Sequence, residues 1–138
     1  MNKLHKVGLT LGKFSPPTRG HKLMLDYGTA MCDELFVIVS GETTIPIKDR
    51  VKWLREATPS FDTVIYNDHY FDAIPEPELD ERGVAIDENF WKAWVDGITQ
   101  RLPKIDAVFT NDWYGEKLAR LLDAKWYPID TNRTTNPI

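Results

Sequence analysis

A single cysteine, Cys32, stands in 138 residues. No internal disulfide can form, and a reducing compartment suits such a chain. One cysteine and three scattered histidines also leave too few ligands for a zinc site. Long apolar runs are missing too, since none approaches the ~18 residues that span a bilayer. The opening segment, MNKLHKVGLT, has neither a long apolar core nor a small-residue cleavage site, so no signal peptide is expected. A cytoplasmic location with no membrane partner is the expectation.

Excess positive charge is absent as well: 17 Lys and Arg face 21 Asp and Glu, a net charge of −4. Residues 68–88 account for the imbalance, with eight acids and one Arg, and the rest of the chain carries a balance of +3. That distribution leaves room for a locally basic cleft that takes a small anion. A broad basic face for nucleic acid is not expected. What is present is ordinary for one globular domain, expected over 1–138, with 42% hydrophobic and 28% charged residues.

Apolar patterning divides the chain into alternating elements. Val7 to Leu11 reads as a buried strand, followed by a helix from His21 to Cys32 with Leu23, Tyr27, Ala30 and Met31 on one face. ELFVIVS (34–40) reads as a strand, GETTIP (41–46) as a loop, and KDRVKWLREA (48–57) as a helix in which Trp53 belongs to the core. DTVIYN (62–67) is a third strand. Residues 68–88 read as an irregular acidic excursion, either a solvated loop or a lid. A helix at 88–102 repeats Phe90, Trp94, Ile98 and Leu102 at every fourth position. Strand 106–110, helix 114–124 and a short strand 125–130 complete the pattern, and the tail from Thr131 is polar. No internal repeat is found. Such alternation predicts an α/β fold, a Rossmann-like, doubly wound, parallel five-stranded sheet with right-handed crossovers. Ligands of such sheets bind beyond the carboxyl ends of the strands, where strand order reverses.

The exit of the first strand, GLTLGKFSPPTRGHKLML, is where chemistry concentrates. A helix N-terminus favours a phosphate. Gly12 and Gly20 permit close approach of a ligand to the backbone, and Pro16 and Pro17 stiffen the loop. Lys13, Arg19, His21 and Lys22 offer cationic or hydrogen-bonding groups, and Thr18 a hydroxyl. Neither the Walker A spacing nor Gly-x-Gly-x-x-Gly is present.

The segment GKFSPPTRGH resembles the signature of the nucleotidylyltransferase superfamily, whose loop ends in His/Thr-x-Gly-His; here Thr18, Arg19, Gly20 and His21 fill those places. IPIKDRVKWL, FWKAWVDGI and VFTNDWYGEKLARLLDA resemble, in order, segments of the NadR-type nicotinamide mononucleotide (NMN) adenylyltransferases. IDTNRTTNPI resembles the stretch leading into that family's Ser-Gly-Thr-x-Ile-Arg motif, and the domain is expected to lack the motif itself. Thr18 stands where the NadR type usually has His, as in pantetheine-phosphate adenylyltransferases.

The resemblance implies adenylyl transfer: the 5′-phosphate of NMN attacks the α-phosphorus of ATP and pyrophosphate leaves. It implies Mg2+ accompanying ATP, with no metal ligand from protein side chains. It assigns His21, Thr18 and Lys13 to catalysis. Gly12, Phe14, Gly20, Thr110, Asn111, Asp112 and Arg133 fall to ATP, and Trp91, Trp94 and Arg50 to NMN. Each has a plainer reading: His21 as a helix cap, Lys13 as a solvated cation, Thr18 as a turn residue, Arg50 as the partner of a nearby acid. Trp94 shares the apolar stripe, so Trp91 is the better ligand candidate. Cys32 reads as a small buried hydrophobe. The implied partners are small molecules, ATP and NMN. The superfamily is often oligomeric, which leaves a homo-oligomer open. The competing functions are a pantetheine-phosphate or other small-phosphate nucleotidylyltransferase, and a nucleotide-binding module without catalysis.

Overall fold

Continuous apolar runs form strands that are covered on both faces, and β2 (Cys32–Val39) shows this directly. Phe36 and Ile38 join one core cluster, and Leu35, Val37 and Val39 join the other. The structure is a computed structural model that describes residues 3–41, 43–58, 63–110 and 114–129. Its elements follow the order β1 (His5–Gly12), α1 (Arg19–Met31), β2, α2 (Ile47–Ala57), β3 (Thr63–Tyr66), α3 (His69–Asp72), α4 (Glu88–Arg101), β4 (Ala107–Phe109), α5 (Gly115–Leu121) and β5 (Lys125–Tyr127). All five strands are parallel, in the order β3-β2-β1-β4-β5. The sheet is therefore the expected doubly wound, Rossmann-like one. After β3 the chain crosses to the far side of β1, so strand order reverses between β1 and β4, and a ligand crevice opens there. Among the described residues no helix is long and apolar enough to cross a membrane.

The two faces are built differently. Met24 and Leu25 of α1 and Leu54 of α2 cover one face, and Trp91 and Ile98 of α4 with Leu118 of α5 cover the other. On the α1 face β1 is nearly bare. A Cβ on Gly8 would lie 2.5 Å from Cys32 Sγ, and one on Gly28 would lie 2.8 Å from Leu35 Cδ1. Helix α1 thus lies close on the sheet, which fixes where its N-terminus sits above the end of β1. Cys32 is fully buried in this contact. Burial, with Asp106 second, pushes its thiol pKa up to about 11, so it stays protonated and inert at neutral pH.

The buried face of α1 is not the expected one. Leu23 and Tyr27 are exposed, while Gly20, Met24, Leu25 and Gly28 are buried. Apolar patterning weighs side-chain size, whereas this contact depends on side chains being absent. Trp53, expected in the core, is exposed; Arg50 and Leu54 hold the buried positions of α2. The acidic excursion is partly ordered. It contains α3 and a bridge between Leu79 and Ala85. Arg101 ties its start to α4, with Nε on Asp68 Oδ2 at 3.0 Å and its guanidinium 4.1 Å from the Tyr70 ring centre. Tyr70 adds a hydrogen bond to the Ala93 carbonyl at 2.7 Å.

Candidate active site

The N-terminus of α1 is held by a reciprocal cap. Thr18 is the N-cap residue, and its Oγ1 accepts from the His21 N–H at 3.2 Å. His21 Nδ1 accepts from the Thr18 N–H at 3.0 Å. This is a capping box in which a histidine fills the place usual for Glu or Gln. Its chemical consequence is tautomeric. With Nδ1 accepting, the neutral ring carries its proton on Nε2, the nitrogen able to donate to an anion. Both the capping reading and the functional reading of His21 are served by this one arrangement. The Phe14 ring meets the His21 ring edge-on, with centroids 4.7 Å apart. Phe14 is buried and sits at φ 51, a left-handed conformation that a bulky side chain adopts only when its surroundings impose it.

The exits of β1 and β2 lie side by side next to this helix end. The Ser40 N–H donates to the Gly12 carbonyl at 3.1 Å, and Ser15 Oγ donates to Thr43 Oγ1 at 2.8 Å. Gly41 has φ +93, which favours glycine, and the Lys13 side chain passes over it. The Lys13 ammonium meets Glu76 of the acidic excursion at 2.9 Å, both groups being exposed. Across the switch point, Tyr114 donates its hydroxyl proton to the Leu11 carbonyl at 2.8 Å.

These parts enclose a cavity of about 720 Å3 at the carboxyl ends of the strands. One end is polar and basic, lined by Gly12, Lys13, Thr18, His21, Ser40 and Gly41. The other is aromatic, with Phe71, Phe90, Trp91, Trp94 and Tyr114. The rim between them is Ile74, Pro75, Glu76 and Pro77, so the acidic excursion borders the cavity as a lid would.

Of the expected site residues, His21, Thr18, Lys13, Gly12, Phe14, Trp91 and Trp94 come together here. Gly20 is buried within α1, and Thr110 is fully buried with its carbonyl bonded to Trp126 Nε1 at 2.9 Å; neither lines the cavity. Arg50 does not line the cavity and is 2% exposed. The two tryptophans exchange rank. Trp91 is 2% exposed, with Nε1 bonded to the Ala85 carbonyl at 3.1 Å, while Trp94 is half-buried and stacks on Phe71. Asn111, Asp112 and Arg133 lie outside the described residues. Sequence reasoning missed Ser40, Gly41 and Tyr114. The first two directly follow an apolar run, which places them at the carboxyl edge of the sheet. Nothing local singled out Tyr114.

A doubly wound parallel sheet, with a capped helix end and a cavity at its switch point, defines a Rossmann-like α/β protein. No family model matches the sequence. Solved structures do share its fold. The NadR protein in complex with NAD and AMP-PNP is similar with a TM-score of 0.55 at 18% identity, over 91% of this chain and 38% of that one. A bifunctional NMN adenylyltransferase/ADP ribose pyrophosphatase from Francisella tularensis is similar with a TM-score of 0.61 at 10% identity, over 91% and 38%. The same protein complexed with AMP and a Mn ion gives 0.56 at 11% identity, over 91% and 37%. The chain thus spans well under half the length of these neighbours. Their identities make the likeness one of fold, and that fold agrees with the nucleotidylyltransferase resemblance of the loop.

Proposed function

We propose that the protein transfers an adenylyl group from ATP to NMN, forming NAD and releasing pyrophosphate. The observation that carries this reading is the joining of a capped, cationic helix mouth and an aromatic wall in one cavity. The polar end offers what a triphosphate needs: helix N–H groups, the Nε2 proton of His21, the Thr18 hydroxyl and the Lys13 ammonium. The aromatic end suits a flat ring, and a cationic nicotinamide gains further from aromatic side chains. Pantetheine phosphate has no ring to place there. A NadR structure of the same fold is a complex with NAD, the product of this reaction.

No covalent intermediate is required. An oxygen of the acceptor phosphate bonds to the α-phosphorus as the bond to the β-phosphate oxygen breaks, and pyrophosphate carries away the electrons. The protein contributes alignment and charge stabilisation. The polar lining offers hydroxyl, imidazole and ammonium donors that take phosphate oxygens, with the Glu76 carboxylate on the Lys13 ammonium. Among the described residues no three acidic, His or Cys side chains gather to hold a metal. Mg2+ would enter on the triphosphate and neutralise part of its charge.

Pyrophosphate release by the 138-residue chain with ATP, Mg2+ and NMN is the test, with nicotinic acid mononucleotide and pantetheine phosphate in parallel. Release with NMN exceeding that with pantetheine phosphate is expected. The reverse order overturns the acceptor, and no release with any acceptor overturns adenylyl transfer.

Glu76 provides a further check on the phosphate reading. Its carboxylate holds the Lys13 ammonium, so an incoming phosphate must displace it. Exposed pairs are weak, worth at most about 1 kcal/mol. Glu76→Gln is therefore expected to raise tripolyphosphate affinity by no more than about fivefold, read by calorimetry at low salt. An affinity that falls would show that Lys13 is not the phosphate's partner.

A further inference from the structure

Among the described residues, Arg50 is the one buried charge, and the chemistry above leaves it unused. Its guanidinium lies under the cavity floor. Nη1 donates to the Lys13 carbonyl at 2.8 Å and, at 3.5 Å, to the Ser40 carbonyl; Nη2 donates to the Gly41 carbonyl at 2.8 Å. Nε has no partner. Among the described residues no carboxylate bonds the side chain, and Asp72, which accepts from the Gly41 N–H at 3.3 Å, acts on it through space. Burial lowers its pKa from the usual arginine range, though a guanidinium remains charged. A charge held this deep without a paired acid is costly, and its removal from a well-packed site is often tolerated or favourable. Its placement therefore calls for another return.

The three carbonyls identify that return. Lys13 follows β1, and Ser40 and Gly41 follow β2. Among the described residues, backbone hydrogen bonds across the sheet end with the Ser40 N–H to Gly12, and beyond that point side chains tie the two loops: Ser15 to Thr43, and Arg50 to the backbone of both. The planar fork grips Lys13 and Gly41 at once, and the Lys13 carbons lie where a Cβ on Gly41 would meet them at 3.1–3.4 Å. Fixing the two backbones relative to one another thus fixes the path of the Lys13 side chain across Gly41. We propose that Arg50 is a positioning residue for the phosphate end of the cavity, acting through Lys13 by clamping the exits of β1 and β2. This rests on reading that end as a phosphate site.

A double-mutant cycle on the full chain tests the proposal without using catalysis, with inorganic tripolyphosphate as the probe and calorimetry as the readout. Lys13→Met is expected to weaken tripolyphosphate binding about tenfold, the loss of one charge-assisted contact. Arg50→Lys keeps the charge but cannot span three carbonyls. It is expected to weaken binding several-fold, and to weaken it no further when Lys13 is already Met. Additive losses, or an Arg50→Lys variant that binds as the parent does, would overturn the proposal. So would a parent chain that does not bind tripolyphosphate. If Arg50→Lys does not fold, Arg50→Gln takes its place, since one amide NH2 cannot span the three carbonyls. Coupling of that change to Lys13→Met supports the clamp, and additivity overturns it. Coupled binding in a chain that releases no pyrophosphate would sink adenylyl transfer and leave the clamp standing.

Discussion

His21→Ala is expected to cut adenylyl transfer by about 10²–10³-fold, the usual loss when a donor to developing negative charge is removed. The structure separates this loss from a loss of fold. The alanine removes the acceptor of the Thr18 N–H, an edge contact to Phe14 and the Nε2 donor. The first two are cap and packing terms, worth about 1 kcal/mol in stability, or roughly 3 °C in a domain of this size. Thr18→Ala provides the comparison. It breaks the other half of the same cap and keeps the imidazole. Single-turnover rates and melting temperatures of the two variants therefore diverge: similar small losses of stability, with the much larger loss of rate in His21→Ala. A His21→Ala enzyme within about threefold of the parent rate would make the histidine a cap and nothing more.

The second large effect is expected at Trp91, in stability. Its indole is almost wholly buried between α4 and the end of the acidic excursion, and its N–H holds the Ala85 carbonyl. Truncating a buried tryptophan costs about 3–5 kcal/mol, so Trp91→Ala should lower the melting temperature by about 10–15 °C. Trp94 faces the same cavity but is half-buried, with its ring on Phe71 at a centroid distance of 5.1 Å. Trp94→Ala should cost less than half as much stability and weaken NMN binding by about tenfold, the value of one good ring contact on a desolvated cation. Scanning calorimetry with NMN titration checks both. If Trp91→Ala melts within a few degrees of the parent while NMN binding is lost, the assignment of the two rings is inverted.

The site was legible in the sequence where its chemistry is local. Thr18 and His21 are three residues apart at a helix start, the spacing a reciprocal cap requires, so one short segment contains the whole device. Lys13 and Gly12 end a strand that only a parallel sheet could house, and such a sheet opens its ligand crevice at that end. Arg50 shows the opposite case. In the sequence it reads as a substrate contact or the partner of a nearby acid, and the convergence of the Lys13, Ser40 and Gly41 carbonyls on its guanidinium joins residues from separate segments that no local pattern links. Trp91 and Trp94 were ranked by their fit to a stripe. That stripe does not reveal that Ala85, several residues upstream, folds back over one ring.

Periodicity determined the order and type of the main elements, because burial on both faces demands continuous apolar strands and helices must cover them. The loop motif placed the candidate site at the exit of the first strand. The tertiary structure decided what lies across from that exit. The glycines at 8 and 28 set the depth of α1 through the absence of side chains, which no hydrophobic count registers. The acidic excursion became a rim because Arg101 and Tyr70 anchor it to α4, and that brought Glu76 onto Lys13. Contacts of this kind join residues far apart in the chain, and their energy exists only once the sheet has brought the ends of β1, β2 and β4 together.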